Sequence, residues 1–143
     1  MSPLLSCYYD NLDVILRNKE KQEDSEQIQL QIDDYIETGV IQICPLSFIR
    51  GRSIVDSFFI CDEAQNASRR LIKDVITRAG EGTKIVICGD LKQVDSIKLN
   101  EKNNGLAYAA SKMVGSKLCA QIVFDETQCV RSALAKDGIN RLK

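Results

Sequence analysis

The chain has 143 residues, of which 44% are hydrophobic and 27% charged, a composition typical of one globular domain. Its net charge of −1 excludes a basic field over the whole domain, so any nucleic-acid contact must come from local arginines. The absence of histidine excludes Ser-His-Asp triads, Cys-His pairs and histidine-bearing metal sites, and the six cysteines form no Cys-x-x-Cys pair.

Neither the amino terminus nor the apolar runs are typical of a secreted or membrane-embedded protein. Residues 1–7 lack the pattern of a secretory signal, and no apolar run approaches the length that spans a bilayer. The cysteines lie mostly in apolar stretches, which favours reduced thiols packed as small hydrophobic groups. We therefore expect a cytoplasmic protein without membrane partners.

In the first third of the chain the pattern predicts two helices and one strand. Residues 8–17 are predicted to form a short helix, followed over 18–27 by a charged, Gln-rich loop or solvated helix end. Apolar residues from Ile28 to Ile36 recur at helical spacing, and Gly39 is a plausible end of that helix. Residues 40–44 are predicted to form a strand.

The remainder alternates between strands and helices. After a partly ordered loop over 46–56, the solidly apolar residues 58–61 and 84–88 predict strands buried on both faces. Helices are predicted over 67–79, 104–114 and 129–142, and a further strand over 119–124. This alternation predicts an α/β fold, mainly a parallel sheet with helices on both faces.

Polar side chains follow both predicted buried strands. Asp62 and Glu63 come directly after the first, and the carboxyl end of a strand is where ligands bind in open α/β sheets. One acid there could hold a hydrated Mg²⁺ while its neighbour orients a water, as in a Walker B strand. The alternative is that both acids cap the following helix.

The second strand ends in Gly89 and Asp90, with Gln93 three residues further on. Glycine permits a close backbone approach, and the two polar side chains could sense a phosphate. An ordinary strand-ending turn is the alternative. Because two polar strand ends are separated by one helix, we expect Asp62 and Glu63 to lie beside Gly89 and Asp90.

Three arginines are candidates for phosphate contacts. Arg50 and Arg52 flank a glycine before the first strand, and their guanidinium groups suit phosphate oxygens of a nucleotide or nucleic acid. Arg131, at the start of the last helix, could reach a γ-phosphate as an arginine finger. A solvated surface arginine is the alternative at each position.

Taken together, these segments resemble the PhoH-like family. The resemblance rests on residues 45–53 (Pro-Leu-Ser-Phe-Ile-Arg-Gly-Arg-Ser), 59–66 (Phe-Ile-Cys-Asp-Glu-Ala-Gln-Asn), 77–84, 89–95 and 104–108 (Asn-Gly-Leu-Ala-Tyr). The Asn-Gly-Leu region is similar to the subgroup in which a PIN-type nuclease domain precedes the ATPase. The resemblance implies a P-loop core akin to superfamily 1 helicases, ATP hydrolysis with Mg²⁺, and a link to RNA metabolism.

The resemblance also implies roles for individual residues. Asp62 would bind Mg²⁺ through water, and Glu63 would act catalytically as its Walker B partner. Gln65 and Asp90 would join Asp62 in nucleotide binding. Gln93 would belong to a helicase-like sensor segment, and the catalytic set would include Arg131, the most loosely matched position.

The sequence contains no Gly-x-x-x-x-Gly-Lys-Ser/Thr motif, which in the family lies upstream of the segment resembling residues 9–12. We therefore expect residues 1–143 to be a fragment of one PhoH-like domain that starts after the P-loop. Such a chain should bind ATP weakly, be inactive alone, and be marginally stable or self-associating unless a missing amino-terminal segment or other subunits complete it.

Two other interpretations remain open from the residues. One is a non-catalytic remnant of this fold that binds RNA or a protein through Arg50 and Arg52. The other is an unrelated α/β domain without a nucleotide role.

Overall fold

A computed structural model describes residues 6–17, 24–125, 128 and 130–141. The chain divides into two compact units, one extending through Ser53 and the other beginning at Ile54. No helix in these described ranges is long and apolar enough to cross a membrane.

The first unit is helical. Helix α1 spans Ser6–Leu16, and helix α2 spans Ser25–Glu37 with Asp24 as its N-cap. Ile28 and Ile32, one helical turn apart on α2, are both fully buried. Gly39 has a φ of +75° and its amide donates to the carbonyl of Ile36, which ends the helix as predicted.

The strand predicted over residues 40–44 is wrong. These residues form bends and irregular structure, and a short 3-10 helix, Leu46–Phe48, follows them. Their β-branched composition favours an extended chain, but a strand also needs a paired neighbour.

The second unit is built around a parallel pair of strands. Strand β1, Phe58–Cys61, pairs with β2, Lys84–Ile87, in a register that places Cys61 opposite Ile87. Between them lies helix α3, Arg69–Ile76, capped by Ser68, whose hydroxyl accepts from the amide of Leu71 at 3.2 Å. This is a strand–helix–strand unit, and it confirms the α/β class.

Helix α4, Gly105–Lys112, packs against α3. Its N-cap, Asn104, is fully buried, accepts from the amide of Ala107 and donates to the carbonyls of Asn100 and Glu101. Gly105 donates to the carbonyl of Ala67 at 2.7 Å, and a β-carbon at this position would run into Ile72 and that carbonyl. The glycine therefore permits the close contact of the two helices.

Two expectations for this unit are wrong. Burial of β1 on both faces is not seen, because Phe58 and Ile60 are 64% and 61% exposed while Cys61 is buried. Residues 119–124 form an exposed irregular segment that pairs with no described strand. Within the described ranges no element covers the face of β1 that carries Phe58 and Ile60. An apolar pattern alone does not supply a segment with a neighbouring strand. Helix α5, Ala133–Arg141, lies within the range predicted for the last helix.

Candidate functional site

The carboxyl ends of β1 and β2 lie side by side. The amide of Cys88 donates to the carbonyl of Cys61 at 2.9 Å, and the amide of Ala64 donates back to the carbonyl of Cys88 at 3.0 Å. Asp62 and Glu63 therefore leave the sheet next to Gly89 and Asp90, and the predicted proximity of the two strand ends is confirmed.

Neither acid caps the helix that follows. Ser68 caps α3, and Glu63 precedes only a short 3-10 helix, Ala64–Asn66, without a capping hydrogen bond from its side chain. Glu63 has a φ of 52°, in the left-handed region that a non-glycine residue rarely adopts. The chain thus turns sharply where the strand ends, and such conformations cluster at functional sites.

Asp62 is exposed and is held through one of its two carboxylate oxygens. Its Oδ1 accepts from the amide of Glu63 at 2.9 Å and from the thiol of Cys88 at 3.4 Å. Among the described residues no hydrogen bond engages Oδ2. One oxygen therefore orients the carboxylate, and the other remains available to a cation or a water.

Both thiols at the strand ends have a raised pKa, which favours their protonated form at neutral pH. Burial, followed by the hydrogen bond and the charge of Asp62, raises the pKa of Cys88 to about 11. Burial, with a smaller contribution from Asp62, also raises the pKa of Cys61. Cys88 was not among the predicted site residues, because a cysteine at the end of an apolar run is typical of core packing.

Gln65 joins the two strand ends. Its side chain is 1% exposed, and its Nε2 donates to Oε2 of Glu63 at 2.6 Å and to the carbonyl of Gln93 at 3.1 Å. Its Oε1 accepts from the amide of Asp90 at 3.1 Å. These three bonds use both amide hydrogens and the carbonyl, so Gln65 is satisfied entirely by protein groups.

The neighbouring turn is also ordered by side chains. Asp90 accepts from the amide of Lys92 at 2.9 Å through Oδ1 and from Nε2 of Gln93 at 2.8 Å through Oδ2. A β-carbon on Gly89 would collide with Oε1 of Gln65 and would lie 3.1 Å from the amide nitrogen of Ala64. Only glycine allows Gln65 to approach this turn so closely.

Asn66 forms a second link to the loop after β2. Its Oδ1 accepts from the amide of Asp95 at 2.9 Å, and its Nδ2 donates to the carboxylate of Asp95 at 3.4 Å. Asn66 and Asp95 were not among the predicted site residues. The available signal was a pair of amide side chains, Gln65 and Asn66, separated by one alanine from a pair of carboxylates.

The three predicted arginines lie in different parts of the chain, Arg50 and Arg52 in the first unit and Arg131 in the second. Arg52 lies in the first unit, where its guanidinium donates to Oε1 of Gln42 at 3.3 Å and to the sulfur of Cys44 at 3.4 Å. Arg50 is exposed in the same unit, beside the turn at Gly51. Arg131 is exposed just before α5, and its role as an arginine finger stays a prediction.

The donor set at the strand ends fits Mg²⁺ only in part. Within the described ranges no three acidic or cysteine side chains are grouped closely enough to hold a metal. One accessible carboxylate is nevertheless the usual protein contribution to nucleotide-bound Mg²⁺, which keeps several waters and takes its other ligands from phosphates. Asp62 suits that role, because its Oδ2 is available.

Comparisons with known proteins find several relatives of this chain. Protein PhoH2 of Bacillus subtilis is 39% identical over 122 residues, which is 85% of this chain and 26% of that protein. The PhoH-like protein of the same organism is 39% identical over 99 residues, or 69% of this chain and 30% of that protein. Protein PhoH2 of Thermobispora bispora is 30% identical over 135 residues, or 94% of this chain and 28% of that protein.

The chain thus spans about a quarter to a third of the length of these relatives. The model of the family described as "PhoH-like protein" matches residues 1–142 of this chain. Because this match extends over nearly the whole sequence, the chain belongs to the PhoH-like protein family.

Proposed function

We propose that this chain supplies the magnesium-and-water edge of an ATP-hydrolysing site, on a P-loop core akin to that of superfamily 1 helicases. Membership of the PhoH-like family supports an ATPase-related role. The observation that carries the proposal is the junction of two parallel strand ends. There one buried glutamine links Glu63 to the Asp90–Gln93 turn, and the thiol of Cys88 bonds Asp62.

Each residue has a distinct task in this proposal. Bound Mg²⁺ would neutralise charge on the phosphate oxygens, and Asp62 would hold it through water. Glu63 would orient the attacking water and accept its proton at the carboxylate oxygen that Gln65 does not engage. Asp90 and Gln93 would respond to the γ-phosphate, whose main cradle would come from a P-loop elsewhere in the protein.

Metal binding is tested on the chain itself with Mn²⁺, a paramagnetic substitute for Mg²⁺. In amide-resolved NMR spectra, low-millimolar Mn²⁺ should broaden the signals of residues 62–64 and 88–90 before others. Asp62→Asn should remove this selective broadening, whereas Asp137→Asn, on exposed α5, should retain it. If the signal of residue 62 is not broadened, or if the selective broadening persists in Asp62→Asn, the assignment of Asp62 as the metal-binding residue is wrong.

Hydrolysis is tested in a chimera in which this chain replaces the matching segment of the Bacillus subtilis PhoH2. We expect Mg²⁺-dependent ATP hydrolysis that Glu63→Gln lowers by about 10²- to 10⁴-fold, the usual contribution of a general base. The Asp137→Asn chimera should keep its rate. Full activity in the Glu63→Gln chimera would exclude Glu63 as the catalytic carboxylate.

A non-catalytic RNA-binding role is the second candidate, and one observation favours it. Arg52 bonds only neutral acceptors among the described residues, so its positive charge has no carboxylate partner there. A phosphate backbone would supply one. Fluorescence anisotropy with a short single-stranded RNA should then show affinity that falls with salt and weakens in Arg52→Gln. Binding unchanged by that variant would exclude the role for Arg52.

A further inference from the structure

We propose that Gln65 is a positioning residue that mechanically couples the Glu63 carboxylate to the Asp90–Gln93 turn. The inference deepens the proposed function and rests on it for its catalytic consequence. The coupling itself is a property of the folded chain and can be measured without nucleotide.

The orientation of the Gln65 amide follows from its surroundings. The atom that faces the backbone N–H of Asp90 must be an acceptor, so it is Oε1. The atom that faces the carboxylate of Glu63 and the carbonyl of Gln93 must be a donor, so it is Nε2. Rotating the amide by half a turn would oppose like groups at all three contacts. The side chain therefore has one favourable state.

Burial makes this arrangement stiff. Gln65 is 1% exposed, so water cannot readily replace a broken bond, and a buried polar group without a partner is costly. If the Asp90–Gln93 turn moves, the amide of Gln65 must follow it or lose a bond. Because the same Nε2 is hydrogen-bonded to Oε2 of Glu63, displacement of the turn also moves the Glu63 carboxylate. The turn would move when a phosphate arrives or leaves.

Asn66 provides an internal comparison. It is adjacent in sequence and its side chain also bridges to the loop after β2, through Asp95. Among the described residues that side chain has no hydrogen bond to Glu63 or Asp90, and only the backbone amide of Asn66 donates to the carbonyl of Glu63. Removal of the Asn66 side chain should loosen the loop without moving the Glu63 carboxylate. Loss of Gln65 should uncouple the carboxylate from the turn.

The test measures propagation by NMR on the full chain. The turn is perturbed with Asp90→Ala, which removes the acceptors for Lys92 and Gln93, and the readout is the side-chain carboxyl ¹³C signal of Glu63. We expect this signal to shift in the wild-type and Asn66→Ala backgrounds. We expect no shift in a Gln65→Met background, which keeps the shape of the side chain but cannot form the bonds. An equal shift in the Gln65→Met background would overturn the proposal.

A second variant keeps the test decisive if Gln65→Met fails to fold. Gln65→Asn keeps the amide group but is one methylene shorter, so it cannot reach Glu63 and Asp90 together. It should therefore abolish the shift at Glu63. If the shift at Glu63 persists in Gln65→Asn, the coupling does not pass through the Gln65 side chain and the proposal fails.

The catalytic consequence is measured in the chimera with PhoH2. Gln65→Met should lower kcat by about tenfold to a hundredfold, as loss of a supporting hydrogen bond commonly does, with KM for ATP nearly unchanged. Asn66→Ala should leave kcat within about threefold. If the NMR coupling is present but the wild-type chimera does not hydrolyse ATP, the proposed function fails and the coupling stands. If the wild-type chimera hydrolyses ATP but the NMR coupling is absent, the coupling proposal fails and the proposed function stands.

Discussion

The thiol of Cys88 donates a hydrogen bond to Oδ1 of Asp62 across 3.4 Å, joining the ends of the two parallel strands. This bond orients the carboxylate that we propose as the Mg²⁺ ligand. Burial, followed by this bond, raises the pKa of Cys88 beside a candidate catalytic site. The reactivity of the Cys88 thiol is therefore a measure of its contact with Asp62.

Asp62→Asn should accelerate alkylation of Cys88 by iodoacetamide. Burial contributes most to the raised pKa of Cys88, and Asp62 adds its hydrogen bond and charge, so removing the charge lowers the pKa and increases the thiolate fraction at pH 8.5. Peptide mapping by mass spectrometry measures the rate. Asp95→Asn should leave it unchanged, and a rate that is equal in all three proteins would contradict the structure.

The same raised pKa sets a pH window for stability. The protonated Cys88 thiol favours the folded chain below its ordinary pKa of 9.0, and this contribution is lost as pH rises through about 11. Cys88→Ser should therefore flatten the fall in melting temperature between pH 9 and pH 11. An identical fall in the variant would show that Cys88 does not contribute.

Gly105→Ala should destabilise the chain although alanine favours helices. The added β-carbon would meet the side chain of Ile72 and the carbonyl of Ala67, and overpacking of this kind costs about 1–3 kcal/mol. Gly138→Ala, in α5, meets no atom within 4 Å and should be neutral or stabilising. Thermal melts of both variants check this. A melting temperature for Gly105→Ala at or above wild type would contradict the packing of α3 on α4.

The chain alone should hydrolyse ATP negligibly. Positioning the β- and γ-phosphates is most of phosphoryl-transfer catalysis, and the sequence contains no P-loop motif to cradle them. A phosphate-release assay measures the rate. Steady turnover of several ATP per minute that disappears in Glu63→Gln would show that the strand ends suffice by themselves.

The isolated chain should self-associate as its concentration rises. Leu118, Ile122, Val123 and Phe124 are between 76% and 96% exposed, and buried apolar area stabilises association by about 25 cal/mol per Å². Light scattering after size-exclusion chromatography measures the mass. Ile122→Lys combined with Phe124→Lys should reduce association, whereas Leu30→Lys, at an isolated exposed leucine of α2, should not. A monomer at all concentrations would contradict this expectation.

Sequence predicted most of the local structure correctly. Apolar periodicity identified α2 and α3, and glycine marked the end of α2 at Gly39, because these signals act within one or two turns of a helix. The strands at 58–61 and 84–88 were also confirmed. The two wrong strands, 40–44 and 119–124, have strand-like composition but no paired neighbour, and pairing is a non-local property.

The sequence by itself determined the family, the strand–helix–strand order and the two polar strand ends. Only the tertiary structure decided how those ends are joined. Gln65 stands two residues after Glu63, yet its other contacts are 25 and 28 residues away, at Asp90 and Gln93. No periodicity links such positions. A hydrogen bond between them exists only when the parallel strands have paired and the missing β-carbon of Gly89 leaves room for the Gln65 side chain.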